Sequence, residues 1–317
     1  MKKTILFLTA SVGAVILALL LIYLVPVGTY PDLNTCFKAS VSKKLICSKN
    51  SDYVQLSEVS EYFQKAVVMS EDDSFYAHDG FDWKELKNSM MVNLRKFSYV
   101  RGGSTITQQL VKNVYLNRKK TIFRKIVEAK LADQIEENHS KKLILEKYVN
   151  AIEFGDGLWG IKQAAQFYFR KPPSQLDALE SLYLVVLLPS PKRYSKTFFE
   201  KELSSYQKRR MKSLLERMKK RGHIPDHEYT YAKDKIEWFF KEQPIEVDRD
   251  AENWANESET EEVGGESMQD EQSEDEDIND DNDEAVENFE EGFEIDVETE
   301  NTLLEGEELE LEPEDQP

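Results

Sequence analysis

Glu71 stands at the end of an apolar helical run and begins a short turn, Ser70 to Gly80 (SEDDSFYAHDG), that also carries Asp72 and His78. Partial burial at such a helix end would raise the carboxyl pKa and leave Glu71 able to accept a proton, the work of a general base. A solvated acidic turn has the same composition. Roughly thirty residues on, Gly102 to Asn113 (GGSTITQQLVKN) crowds glycines, hydroxyl side chains and glutamines into a loop that opens a helix. Gly102 and Gly103 would let backbone amides approach an anion, and Ser104, Thr105 and Thr107 add donors at a helix N-terminus. A Ser104 cap on an ordinary helix would account for that one residue. It leaves Gln108, Gln109 and Lys112 on the following turns without a reason. Phe123 to Lys130 (FRKIVEAK) sets Arg124 and Lys125 one turn ahead of Glu128, with Lys125 and Glu128 on one helix face at i, i+3. That spacing suits a surface salt bridge as well as a cationic site for a charged ligand.

The elements that must hold these groups are helices. Tyr62, Phe63, Ala66 and Val67 recur at helical spacing, as do Trp83, Leu86, Met90 and Leu94, then Ile122, Ile126 and Ala129. Few segments alternate with period two, so the fold class is mostly α. Leu176 to Leu188, bounded by Pro189 and Pro191, is too short to span a bilayer and reads as a buried core helix. Ser204 to Arg221 is basic and amphipathic, which fits a helix packed on the domain or one lying on a membrane surface.

Two further blocks complete a series: Ser140 to Asn150 (SKKLILEKYVN) and Gly157 to Lys171 (GLWGIKQAAQFYFRK). The five blocks, in this order, resemble the peptidoglycan glycosyltransferases of family 51, over approximately Val54 to Tyr194. The resemblance implies a lysozyme-like domain that polymerises lipid II. The growing chain would pass from undecaprenyl diphosphate to the 4-hydroxyl of an incoming lipid II, with inversion and no covalent sugar–enzyme intermediate. It makes Glu71 the catalytic base and Glu128 the second catalytic carboxylate. Asp72, Phe75 and His78 match the pattern EDxxFxxHxG. Gly103, Ser104, Thr105, Gln108, Gln109 and Lys112 would hold sugar and diphosphate, and Arg124 and Lys125 would meet the diphosphate. A divalent cation, magnesium or manganese, is expected near Glu128, and no organic cofactor. The implied partners are lipid II, the lipid-linked glycan, the cytoplasmic membrane and other cell-wall synthesis or division proteins, with no nucleic acid. Phe81 to Tyr99 falls where the family has a membrane-dipping lobe. In the fourth and fifth blocks Lys141, Glu146, Tyr148, Asn150 and Gly160 read mainly as scaffold, and Arg170 occupies a slot where the family commonly has Gly.

Composition divides the chain. The 317 residues carry a net charge of −19, yet from Glu246 onward 33 acidic residues stand against Arg249 alone, which leaves about +13 on residues 1–245. A basic body suits an anionic surface or a diphosphate, and the acidic, low-complexity remainder reads as disordered. Thr4 to Val25 has no charge and is long enough to cross a ~30 Å hydrocarbon layer. With Lys2 and Lys3 before it, the expected topology is a single pass with the N-terminus inside and the body on the extracytoplasmic (periplasmic) face; a cleaved signal peptide is the other reading. Cys36 and Cys47 are the only cysteines, free or paired. The expected division is therefore 1–28 N-terminus and anchor, 29–53 stalk, 54–245 glycosyltransferase domain with a helical extension, and 246–317 acidic tail. The SxxK matches at Ser40 and Ser205 precede no SDN-like or KTG element, so no penicillin-binding domain is expected. Two other functions fit parts of the pattern: a lytic murein-cleaving enzyme of similar fold, and a non-catalytic scaffold that binds lipid II.

Overall fold

The computed structural model describes residues 32–96, 102–116 and 121–242, together with Gly13. The acidic tail and, apart from Gly13, the expected anchor lie outside the described residues. Among those described, no helix is long and apolar enough to cross a membrane.

The expected helical class holds. Helices α1 (Glu61–Glu71), α2 (Trp83–Lys96), α3 (Ile106–Val114), α4 (Ile122–Asn138) and α5 (Lys141–Ala151) precede one short antiparallel hairpin, β1 (Glu153–Gly155) and β2 (Leu158–Trp159). Then come α6 (Ile161–Phe169), α7 (Ala178–Leu187), two short helices α8 (Pro191–Tyr194) and α9 (Lys196–Glu200), the long basic α10 (Ser205–Lys220), α11 (Asp226–Lys235) and α12 (Phe239–Glu242).

Every residue of α7 is buried, as its uninterrupted apolar run requires. Its start is fixed by a reciprocal cap in which Asp177 accepts from the Glu180 amide and Glu180 accepts from the Asp177 amide. Against this central rod pack α1 and α10, while α3 packs on α4 and α5. The tight entry to α6 depends on Gly160, whose φ of +85° favours glycine and whose missing Cβ would lie 3.0 Å from the Asn150 carbonyl oxygen. Asn150 in turn exchanges two hydrogen bonds with the backbone of Val54, and Glu146 accepts from the Leu56 amide. The fourth block thus ties the N-terminal segment to α5.

One boundary is corrected. The described part of the expected stalk, residues 32–53, is folded into the domain: Leu33, Phe37, Ala39 and Ile46 are buried and belong to the core. The Ser40 and Val41 amides donate to the carbonyls of Val114 and Asn113 at the end of α3. Cys36 and Cys47 form a disulfide that closes this segment. Its average polarity suggests a connector, but four of its apolar side chains, Leu33, Phe37, Ala39 and Ile46, fall on the inward side, and that decides where a segment sits.

Arg170 caps α6 in the left-handed region, φ +56°. This explains the glycine common at that slot: a Cβ there costs on the order of 1 kcal/mol, and glycine avoids it. Arg170→Gly is therefore expected to raise stability by about 0.5 kcal/mol after glycine's extra chain entropy is subtracted. A denaturant midpoint lower than that of the parent would show that contacts of the Arg170 side chain outweigh the strain.

Candidate active site

Glu71 is the last residue of α1, half-buried, and both of its oxygens are engaged. Oε2 accepts from Gln109 Nε2 at 3.1 Å and Oε1 from Ser70 Oγ at 3.1 Å. Burial pushes its pKa up; the two hydrogen bonds and the positive charges of Arg210 and Lys112 act the other way without cancelling it. A carboxylate with a raised pKa, facing donors it can release, is equipped to take a proton.

The turn after Glu71 is held by the next residue. Asp72 is buried, accepts from His78 Nε2 at 2.9 Å, and accepts from the Ile106 amide at 2.9 Å, where the N-terminus of α3 favours negative charge. Thr105 Oγ1 donates to the Gly80 carbonyl at 2.8 Å and accepts from the Gln108 amide. The first and second blocks are thereby stitched together, and the residue that caps α3 is Thr105. Ser104 instead accepts from Lys125 Nζ at 2.9 Å.

Beside this loop α4 brings the cations. Glu128, 2% exposed, accepts from Arg124 Nη1 at 3.1 Å and from Lys125 Nζ. Arg124 Nε is buried and has no hydrogen-bond partner among the described residues. Lys112 on α3 feels both carboxylates, Glu128 and Glu71, and both cations. Solvent reaches it, yet enough protein surrounds it that desolvation lowers its pKa, with Lys125 and Arg124 adding to the effect. Three cations around one buried carboxylate leave an excess of positive charge next to Glu71.

The geometry places the residues expected to contact a ligand in two groups. Phe75 is fully buried beneath Lys141, whose Nζ lies 4.5 Å from the ring centre. Asp72, Thr105 and Gln108 are buried and His78 pairs with Asp72, so these residues build the frame of the loop. Gly103 serves packing: a Cβ there would lie 3.3 Å from Leu86 Cα on α2. Glu71, Ser104, Gln109, Lys112, Arg124 and Lys125 do come together. The salt-bridge reading of Lys125 and Glu128 is also correct, since the pair exists, and Lys125 also reaches Ser104.

Both Glu128 oxygens are taken by cationic partners, and no group of three or more His, Cys, Asp or Glu residues able to hold a metal occurs among the described residues.

Sequence reasoning missed Arg210 on α10. Its Nη2 donates to Ser70 Oγ at 3.2 Å and contacts the Ser70 carbonyl at 3.4 Å, while Arg217 donates to the Met69 carbonyl at 2.8 Å. Arg217 and Arg221 also pair with Asp73. Both Arg210 and Arg217 flank the buried Met211, Leu214 and Met218, so two arginines seven apart beside an apolar stripe were the available signal.

A transglycosylase family model matches residues 39–219, which contain all five blocks. A curated biosynthetic peptidoglycan transglycosylase of Aromatoleum aromaticum is 44% identical over 147 residues, 46% of this chain and 64% of that protein. Another of that name, from Acinetobacter baylyi, is 39% identical over 170 residues, 52% of this chain and 75% of its own. Penicillin-binding protein 1A of Aquifex aeolicus is 39% identical over 183 residues, 58% of this chain but 25% of that protein. The first of these relatives is thus covered over less than two thirds of its length. With the family model spanning more than half of the 317 residues and the raised-pKa Glu71 set beside its cationic cluster, the chain belongs to the transglycosylase family.

Proposed function

We propose that the chain polymerises peptidoglycan glycan strands, moving the growing chain from its lipid diphosphate to the 4-hydroxyl of lipid II within a lysozyme-like domain. One observation carries this reading: a proton-accepting carboxylate, Glu71, stands beside Lys112, Arg124 and Lys125. The hydroxyl loses its proton to Glu71 as its oxygen bonds to the anomeric carbon from the face opposite the leaving group. The bond to the diphosphate oxygen breaks, and the cations take up the charge that develops there. An α-linked donor gives a β-linked product. A murein-cleaving enzyme would need the acid but has no use for three cations placed for a diphosphate. Incubating the purified full chain with labelled lipid II tests the reading. Polymer supports it, and hydrolysis of finished glycan without polymerisation would replace it.

Approach to a lipid-linked substrate would run over α2. Trp83, Met90 and Leu94 are 71%, 64% and 69% exposed on a helix ending in Arg95 and Lys96, the make-up of a surface that dips into lipid. This supports action at the outer face of the cytoplasmic membrane, with the uncharged N-terminal segment as anchor. Leu94→Glu should weaken binding to anionic vesicles by roughly tenfold, the loss of one buried leucine's transfer energy, and raise KM for lipid II. Its melting temperature should hold, because the side chain is exposed. A variant that melts early with unchanged vesicle affinity would return Leu94 to the core.

A further inference from the structure

Glu71 has two carboxylate oxygens, and each is reached by a chain of hydrogen bonds that starts on a different helix. On one side Tyr148, fully buried in α5, donates its hydroxyl to Gln109 Oε1 at 3.1 Å, and Gln109 Nε2 donates to Glu71 Oε2 at 3.1 Å. Because a primary amide has one acceptor end and one donor end, a donor fixed at Oε1 forces Nε2 toward Glu71. On the other side Arg210 on α10 donates to Ser70 Oγ, leaving the Ser70 proton for Glu71 Oε1. The same arginine contacts the Ser70 carbonyl at the C-terminal end of α1, where a cation offsets the helix dipole.

Resting on the catalytic reading above, we propose that Tyr148 and Arg210 are positioning residues that hold Glu71 in a two-armed clamp. Tyr148 acts through Gln109 on one oxygen, and Arg210 acts through Ser70 on the other. The clamp sets which lone pairs of Glu71 remain open to the incoming hydroxyl. It also supplies the only two side-chain hydrogen bonds to Glu71 among the described residues.

The chemistry of each arm suits this task. Burial, together with the negative charges of Glu71 and Asp72, pushes the Tyr148 phenol well above its ordinary range, so it stays a donor at every working pH. The charged and titratable groups around Glu71 are Asp72 beside it, Lys112 on α3, Tyr148 on α5 and Arg210 on α10. Asp72 is engaged with His78 and the α3 amide, and Lys112 faces the other cations. The arms can therefore be removed one at a time with the remaining charges in place.

The test uses Tyr148→Phe and Arg210→Gln in the full chain. Each should lower kcat at neutral pH by roughly tenfold, the scale of losing one hydrogen bond that orients the base, with KM for lipid II unchanged. In each, the acid limb of the pH–rate profile should move to higher pH, because a carboxylate that has lost a donor or a nearby cation holds its proton longer. Arg210→Lys, which keeps the charge, should reverse part of the shift. An activity-free measurement separates the clamp from the proposed reaction: the difference in melting temperature between the Glu71 form and its Glu71→Gln counterpart, followed against pH in each background. Since the folded pKa of Glu71 is raised, the stability of the Glu71 form relative to the Gln form is full below the unfolded pKa and is lost as pH rises through the folded one. Removing an arm should extend that loss to higher pH. If the melting difference follows pH identically in all three backgrounds, the clamp is refuted even where kcat falls, and both residues are structural. If it moves as expected while the parent makes no polymer, the clamp stands and the glycan-polymerising reading fails.

Discussion

Replacing Glu71 with Gln is expected to lower the polymerisation rate by about 100-fold or more, the scale of losing a general base. The substitution keeps the shape at the end of α1. The new amide can turn its oxygen to Gln109 Nε2 and its NH2 group to Ser70 Oγ, so the packing around it has no reason to fail. Stability should if anything rise at neutral pH, because burial disfavours the charged form of Glu71 and the amide carries no charge. The parent's rate should fall as pH drops through the raised pKa of Glu71, at a pH above the ordinary carboxylate range. It should fall again at high pH as Lys112, whose pKa is lowered, loses its proton. In Glu71→Gln the acid limb should vanish. A near-parental rate, or a surviving acid limb, would take Glu71 out of the reaction.

The parts of the site legible in the sequence were those in which local chemistry and spacing agree. Lys125 and Glu128, one turn apart on α4, had to share a face, and they do. Glu71 at the end of an apolar stretch had to be part-buried. The five blocks also marked Asp72, His78, Thr105 and Gln108, but spacing could not show which way each side chain turns. Asp72 and Thr105 turned inward to satisfy backbone groups of Ile106, Gly80 and Gln108, and His78 followed Asp72. Arg210 was illegible for a different reason. It lies 140 residues from Ser70, and only the packing of α10 against α1 and α7 brings them together. The N-terminal segment failed in the same way: Leu33 and Ile46 look isolated among polar neighbours until the disulfide and the end of α3 fold them inward.

Lys125→Ala is expected to lower kcat by about 100-fold or more while leaving the melting temperature close to that of the parent. The side chain is 49% exposed, and a cation so placed adds little to folding. Its value lies at the transition state, where charge gathers on the departing diphosphate and a fixed donor at that spot is worth about two to three powers of ten. Arg124 remains to neutralise the buried Glu128 in this variant, which is why the single substitution is the clean experiment. Removing Arg124 as well would leave a buried carboxylate without its cations and should cost about 3–5 kcal/mol, so loss of activity in the double variant would say nothing about chemistry. Arg124 and Lys112 keep their positive charge beside the site in this variant, and this keeps the residual rate of Lys125→Ala above zero. Thermal melts and single-turnover polymerisation, measured on the same preparations, decide the matter. A melt that collapses while the folded fraction works at the parental rate would make Lys125 a structural partner of Glu128 and nothing more.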